Sequence, residues 1–360
     1  MENKLKFEHF DLSETDKLLS FLKVAYPDNL RNSDYDFWKW HFVENPLTDT
    51  KKMPIWVAKS GDEIAGQLAA IPVELNVAGE DLQAMWILDF IVAPKFRRQG
   101  IGKRIVLAAE EFCSVGLGVN TAEQHSTALL QGLGWKLVCN IPRYHKLLFP
   151  GEAIREITKI KAVREAVNFC FAPFRPRSNQ TYLSENKNLR FVEHFDDSFD
   201  KLWRESKQQW ACAVARDAKM LEWQYLRQPK KKFDILGYYE NKKLLGYVVL
   251  FFRKPNAENA ISKAAITDIF YHPSKPLETI DNLLRGALQL CVERRAGGIV
   301  IDIIDFTIEE RLRHLGFWQV KNPLQLLVKS KNYQDLLYNS DKWFLTRGDA
   351  DISIFEEPNL

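Results

Sequence analysis

Arg97-Arg98-Gln99-Gly100-Ile101-Gly102-Lys103 is a stretch whose residue types and spacing suit it to hold an anion. It lies between an apolar, strand-like run, Ile87 to Val92, and a run in which Ile101, Ile105, Ala108 and Phe112 recur at helical spacing. A chain that turns on glycine into a helix leaves its first-turn N–H groups without internal partners, and those groups attract negative charge. Glycines at 100 and 102 also remove Cβ atoms that would keep a diphosphate away from the backbone. Three further residues could move protons. Asp89 is a carboxylate inside the apolar strand and needs a partner or a task there. Glu123 and His125 follow the next strand, in Asn-Thr-Ala-Glu-Gln-His-Ser, and either could act as a relay.

Two familiar phosphate motifs fail on named residues. A dinucleotide fingerprint requires a third glycine where this chain has Ile105. A Walker loop requires a glycine where Arg97 stands and a serine or threonine where Arg104 stands. What remains is R-x-x-G-x-G, from Arg97 to Gly102, directly after a strand ending in Val92-Ala93-Pro94.

The surrounding chain is globular in composition. Of its 360 residues, 46% are hydrophobic and 27% charged, and the net charge is only +3, so any anion site is local and a nucleic-acid partner is not expected. Cys113, Cys139, Cys170, Cys212 and Cys291 form no C-x-x-C pair and read as buried thiols of a reducing cytoplasm; no metal is expected. The longest apolar run, Leu-Leu-Gly-Tyr-Val-Val-Leu-Phe-Phe, is too short to span a bilayer.

The elements that position the turn occur twice. Asp34, Trp40 and Pro46 match Asp217, Trp223 and Pro229, each 183 positions on. "WILDFIVAP" is similar to "AITDIFYHP", pairing Asp89 with Asp268 at an offset of 179, and "LLQGLGW" is similar to "RLRHLGF", pairing Gly134 with Gly316 at 182. Each copy reads as a helical start, a hairpin, the strand before the proline, a helix, a further strand, a short helix and a closing strand. The hairpins turn at Ser60-Gly61-Asp62 and at Glu240-Asn241-Lys242. This order implies an α+β fold: mixed, mostly antiparallel sheets flanked by helices. The expected division is 1–148, a helical linker 149–180 built on Ile154, Ile157, Ile160, Val163 and Val167, a second domain 181–335, and a tail 336–360. The linker's basic face could lie on an anionic membrane, but its glutamates favour a packed connector.

The strand, Val92 and Pro94, Arg97, Gly100 and Gly102, the helix, and the later Leu-Gly-Trp together resemble the GNAT N-acetyltransferase superfamily. That resemblance implies two tandem GNAT-like domains, the second degenerate, and an acyl-CoA co-substrate, by default acetyl-CoA. It places the diphosphate on Arg97, Arg98, Gln99, Gly100, Ile101, Gly102 and Lys103, and the pantetheine along the free edge of Ile91, Val92 and Ala93. Trp38 and His41 would belong to a helix over the acceptor pocket. The tyrosine that many members carry four residues before the Leu-Gly-Phe glycine is missing, since those positions are Leu130 and Leu312. Tyr144, in the closing strand, is the expected substitute acid, with Asp89, Glu123 and His125 as the other catalytic candidates. In the second copy Thr279 and Asp281 stand where the glycines should be and oppose a diphosphate.

The implied activity is N-acyl transfer to a small amine or an amino sugar, with surface-polysaccharide metabolism suggested by the C-terminal "DKWFLTRGDAD". Two alternatives stay open: a non-catalytic acyl-CoA sensor or scaffold, and a Fem-type aminoacyl transferase, against which Gly100 and Gly102 argue.

Overall fold

The computed structural model describes residues 5–27, 33–154, 158, 160–174, 182–253 and 263–350. The strands are β1 Leu5–His9, β2 Ile55–Ser60, β3 Glu63–Val77, β4 Glu80–Val92, β5 Val115–Thr121, β6 Lys136–Asn140, β7 Arg143–Leu147 and β8 Leu189–Phe191. They continue with β9 Cys212–Val214, β10 Phe233–Glu240, β11 Lys243–Arg253, β12 Lys263–Tyr271, β13 Gly298–Ile304, β14 Trp318–Val320, β15 Leu324–Ser330 and β16 Trp343–Thr346. All belong to one mixed sheet with the path β6-β15-β5-β4-β3-β9-β16-β13-β12-β11-β10-β8. Most neighbours are antiparallel; β4 with β5, β12 with β13 and β9 with β16 are parallel, and helices Ile101–Glu110 and Pro276–Glu293 provide the crossovers of the first two pairs.

The hairpin turns use backbone that glycine and asparagine tolerate. Ala78-Gly79 and Asn241-Lys242 all have positive φ, the pattern of two-residue turns whose twist suits antiparallel strands.

The closing strands exchange. β7 was expected to finish the first copy, yet it pairs with β13, from Gly298↔Leu147 to Asp302↔Arg143. β15 pairs reciprocally with β5, from Ser330↔Val115 to Leu324↔Thr121. Only Ile141-Pro142 separates β6 from β7, and over these two residues the chain passes from the partner of β6, β15, to the partner of β7, β13, instead of folding β7 back on β6. Asn322 Nδ2 donates to the Ile141 carbonyl at 2.9 Å, tying the two crossover points together. A division at 148 therefore does not follow the sheet. The exchange is matched outside the strands. Lys329 Nζ donates to the Leu133 carbonyl at 2.6 Å, and Lys146 Nζ to that of Leu315 at 2.8 Å, so each closing strand caps the short helix of the other half.

A second reciprocal contact joins the halves at their centre. Trp40 and Trp223 each sit in a π-helical turn, Lys39–Val43 and Glu222–Leu226. Their rings stack 5.2 Å apart, and each indole N–H donates to the other's carbonyl, at 2.9 and 2.8 Å.

Three other expectations change. The linker is not one continuous helix: Pro150–Ala153 and Lys161–Phe171 are separate, with Gly151 N–H held by Asn168 Oδ1 at 2.8 Å, while Ile157 lies outside the described residues. The tail is also part of the fold, because β16 belongs to the sheet; residues 351–360 lie outside the description. Cys212 and Cys291 are buried as expected, but Cys170 is exposed on helix Lys161–Phe171.

Candidate active site

β4 and β5 form a fork. They pair only over Ala84↔Val115, Met85↔Gly116 and Trp86↔Leu117, after which β4 runs on to Val92 and β5 to Thr121 without further pairing. The other edge of β4 stays on β3, through Gly66↔Val92, Gln67↔Ile91 and an Ala93 N–H to Ala65 carbonyl bond of 2.9 Å. The opposite backbone edge of Ile91, Val92 and Ala93 therefore faces the gap of the fork.

The glycine turn closes the end of that gap. Pro94–Phe96 make a short helical turn, Arg98 has φ 62 and Gly100 φ 75, and the first bond of helix Ile101–Glu110 runs from Arg104 N–H to the Gly100 carbonyl at 3.2 Å. The amides of Ile101, Gly102 and Lys103 precede that bond, and no side chain caps them. The two glycines serve different needs. A Cβ at Gly100 would have no atom within 4 Å, so this position requires glycine for its left-handed backbone and looks onto open space. A Cβ at Gly102 would lie 3.0 Å from Phe90 Cζ and 3.2 Å from Leu129 Cδ2, so this glycine lets the helix settle on β4. Buried Ile101 anchors the same turn from beneath.

The positive side chains divide likewise. Arg104 stacks its guanidinium 3.8 Å from the Phe7 ring centroid, and Lys95 pairs with Glu63 at 2.6 Å. Arg97 Nε donates to the Val92 carbonyl at 3.1 Å, lying across the end of the strand edge. Arg98, Gln99 and Lys103 are exposed around the open amides.

Asp89 sits on a bulge in the arm of the fork. Leu88 faces Ala69 and Ile91 faces Gln67, so Asp89 and Phe90 stand opposite the single residue Leu68. Asp89 takes φ 47, and its carbonyl accepts from Gln67 Nε2 at 3.2 Å. Tyr26, at the end of helix Thr15–Ala25, feels its charge: burial first, and Asp89 second, push the phenol up. Nothing in the sequence marked Tyr26, because its neighbour is 63 positions away and no spacing connects them.

The remaining expected site residues part company. Glu123 and His125 are exposed just past the end of β5, beside the mouth of the fork. Tyr144 is corrected: strand exchange carries it into the other half, where it is fully buried, donates to Glu309 Oε2 at 2.7 Å and accepts from Arg313. Leu327, paired with Gly118, occupies the corresponding place on the strand that does close this half. Trp38 and His41 are corrected as well. Both are 2% exposed, Trp38 edge-on to Phe10 and His41 stacked on Trp40, because the helical start turns its aromatic face inward.

In the second half the corresponding fork is occupied. β12 and β13 pair from Lys263↔Gly298 to Ile266↔Ile301, and beyond that point β16 pairs with Ile303 and Ile304. Thr346 Oγ1 reaches Asp268 on β12 at 2.9 Å, so the segment spans both arms. Asp268 is buried and also accepts from Tyr247 at 2.8 Å and Arg216 at 3.4 Å, while Arg347 and Arg143 both hold buried Asp302. Thr279 is fully buried, and Asp281 is paired with Arg311 at 2.7 Å.

A fork in a mostly antiparallel sheet, with a glycine turn leading into a helix at its end, is a geometry to compare with known proteins. Residues 7–136 match the acetyltransferase (GNAT) domain family. This segment is a GNAT domain. The match covers little more than a third of the chain and supports acyl transfer in general, with an acyl-CoA as co-substrate. A comparison with curated protein sequences finds no match. Among solved structures, a probable N-acyltransferase from Enterococcus faecalis is similar with TM-score 0.60 at 12% identity, covering 93% of this chain and 74% of that one. A GCN5-related N-acetyltransferase from Anabaena variabilis gives 0.58 at 12%, covering 91% and 72%. Saccharomyces cerevisiae N-myristoyltransferase with bound myristoyl-CoA gives 0.57 at 11%, covering 91% and 83%. At such identities these likenesses concern the fold, and they extend well beyond the GNAT domain into the second half. Among the described residues no helix is long and apolar enough to cross a membrane.

Proposed function

We propose that the chain transfers an acyl group, by default acetyl, from coenzyme A to a small amine or amino sugar, and that the fork between β4 and β5 is where the thioester lies. The observation that carries this reading is the pairing of an open strand edge at Ile91–Ala93 with uncapped amides at Ile101–Lys103. The edge can hydrogen-bond a pantetheine arm and the amides can hold a diphosphate. The amine nitrogen then attacks the thioester carbonyl, the C–S bond breaks and the coenzyme leaves as a thiolate. Asp89 is positioned to accept the proton the amine loses, directly or through water. The thiolate takes its proton from solvent, since Tyr26, kept protonated by burial and by the charge of Asp89, is too weak an acid to supply it. Glu123 and His125 sit at the mouth and suit proton exchange with solvent. The surface-polysaccharide role and a cytoplasmic location remain part of the proposal, resting on the C-terminal sequence and on the free cysteines.

We read the second half as a degenerate copy, supported by the Trp40–Trp223 reciprocity and the exchanged closing strands. The alternative of a coenzyme sensor without turnover is favoured by one observation, the buried Leu130 at the usual tyrosine position. Calorimetric titration of acetyl-CoA tests the reading. One binding event is expected in the wild type, abolished by Gly100→Glu, which puts a bulky anion into the open space. Two events, or a Gly100→Glu variant that binds normally, would overturn it. CoA release with a panel of amines separates enzyme from sensor.

A further inference from the structure

The fork has a floor, and one side chain makes it. Strand pairing ends at Trp86 and Leu117, so the first residues beyond the vertex are Ile87 on one arm and Gly118 on the other. A Cβ at Gly118 would lie 3.5 Å from Ile87 Cγ1 and 3.7 Å from Trp135 Cζ3, and one at Gly116 only 2.6 Å from Trp135 Cη2. The edge of the Trp135 indole thus closes the vertex, packed against the two glycines of Val-Gly-Leu-Gly-Val in β5. It is held rigidly: 2% exposed, with Nε1 donating to Glu110 Oε1 at 2.8 Å and its backbone N–H to the Leu130 carbonyl at 3.1 Å. The second half fills the corresponding space differently. There the strand carries Ile299 and Ile301 where β5 has glycines, and the ring is the smaller Phe317. In the first half the volume is concentrated in one removable side chain.

We propose that Trp135 limits the acyl-chain length this fork accepts, a specificity role that rests on the coenzyme reading above. A thioester along Ile91 and Val92 directs its acyl chain toward the vertex. A short acyl group ends against Ile87 and the indole edge. A longer one meets a ring that cannot move without losing its bond to Glu110. Removing the ring exposes the Gly116–Gly118 floor as a groove continuous with the fork.

Calorimetry with acetyl-, butyryl- and octanoyl-CoA tests this on wild type, Trp135→Phe and Trp135→Ala, each first shown to be folded by its thermal melt. The wild type is expected to weaken with chain length. In Trp135→Ala octanoyl-CoA should gain on the order of tenfold relative to acetyl-CoA, the return for burying a few methylenes. Trp135→Phe should fall between them and carries the test if the alanine variant does not fold. A folded variant with the wild-type length ranking, or a wild type that takes octanoyl-CoA as tightly as acetyl-CoA, overturns the inference and leaves the coenzyme reading standing. A wild type that binds none of the three removes the coenzyme reading itself.

Discussion

The two forks of this molecule share a strand plan and differ in what fills them. Between β4 and β5 the backbone edge is open, the following turn has glycine at 100 and 102, and Asp89 sits half-buried on a left-handed bulge. Between β12 and β13 the gap holds the chain's own β16, the glycines are replaced by buried Thr279 and ion-paired Asp281, and Asp268 is enclosed by Tyr247, Thr346 and Arg216. Asp268 is thus enclosed by partners from the protein, while Asp89 stands on an arm of the open gap. Filling the second fork satisfies strand groups that would otherwise need an occupant.

The sharpest way to break this comparison is to remove both charges. Asp89→Asn preserves the bulge, since asparagine tolerates positive φ. It is expected to lower turnover by about 10²–10⁴-fold with little change in melting temperature. Asp268→Asn is expected to do the reverse, destabilising the chain by about 3 kcal/mol while acetyl-CoA affinity holds. Similar melting-temperature losses in both variants, with unchanged turnover in the first, would erase the distinction.

A smaller effect is expected at the plug. Arg347→Ala leaves Asp302 buried with Arg143 as its charged partner and Asn322 Nδ2 at 3.3 Å, which should destabilise by about 2 kcal/mol, less than a fully orphaned charge because these partners stay. Coenzyme titration should be unaltered, and a change in coenzyme affinity would show that the two forks are coupled.

The smallest effect is a pH dependence. Burial, and then the charge of Asp268, raise the Asp349 carboxyl from its ordinary 3.8 to about 6 despite the nearby Arg216 guanidinium. A carboxyl raised in the folded state contributes stability that is present below its unfolded pKa and lost as pH rises through the folded one. Between about pH 4 and pH 6 the wild type should therefore lose stability relative to Asp349→Asn. Parallel melting curves over that range would mean that Asp349 is ionised throughout.

Much of the candidate site was legible because its signals are local. Glycine turns, a proline after a strand and helical spacing from Ile101 all act over a few residues, and the strand, turn and helix lie where that spacing puts them. Gly102 shows the limit of such reading. Its type was legible, but its contact with Phe90 and Leu129 was not. Tyr144 was misplaced because no local spacing reveals that the closing strands exchange, and Trp38 and His41 because the resemblance supplies a helix without saying which of its faces turns inward.

By itself, the sequence determined the strand and helix around the glycine turn, the hairpin turns and the glycine turn itself, since these depend on backbone preferences and short spacings. Only the tertiary structure decided that β7 and β15 trade places, that β16 fills one fork, and that the charge of Asp89 reaches Tyr26. Strands distant in sequence offer the same hydrogen bonds to any partner of suitable length, so the choice among them is made by burial and by which crossover the chain can complete.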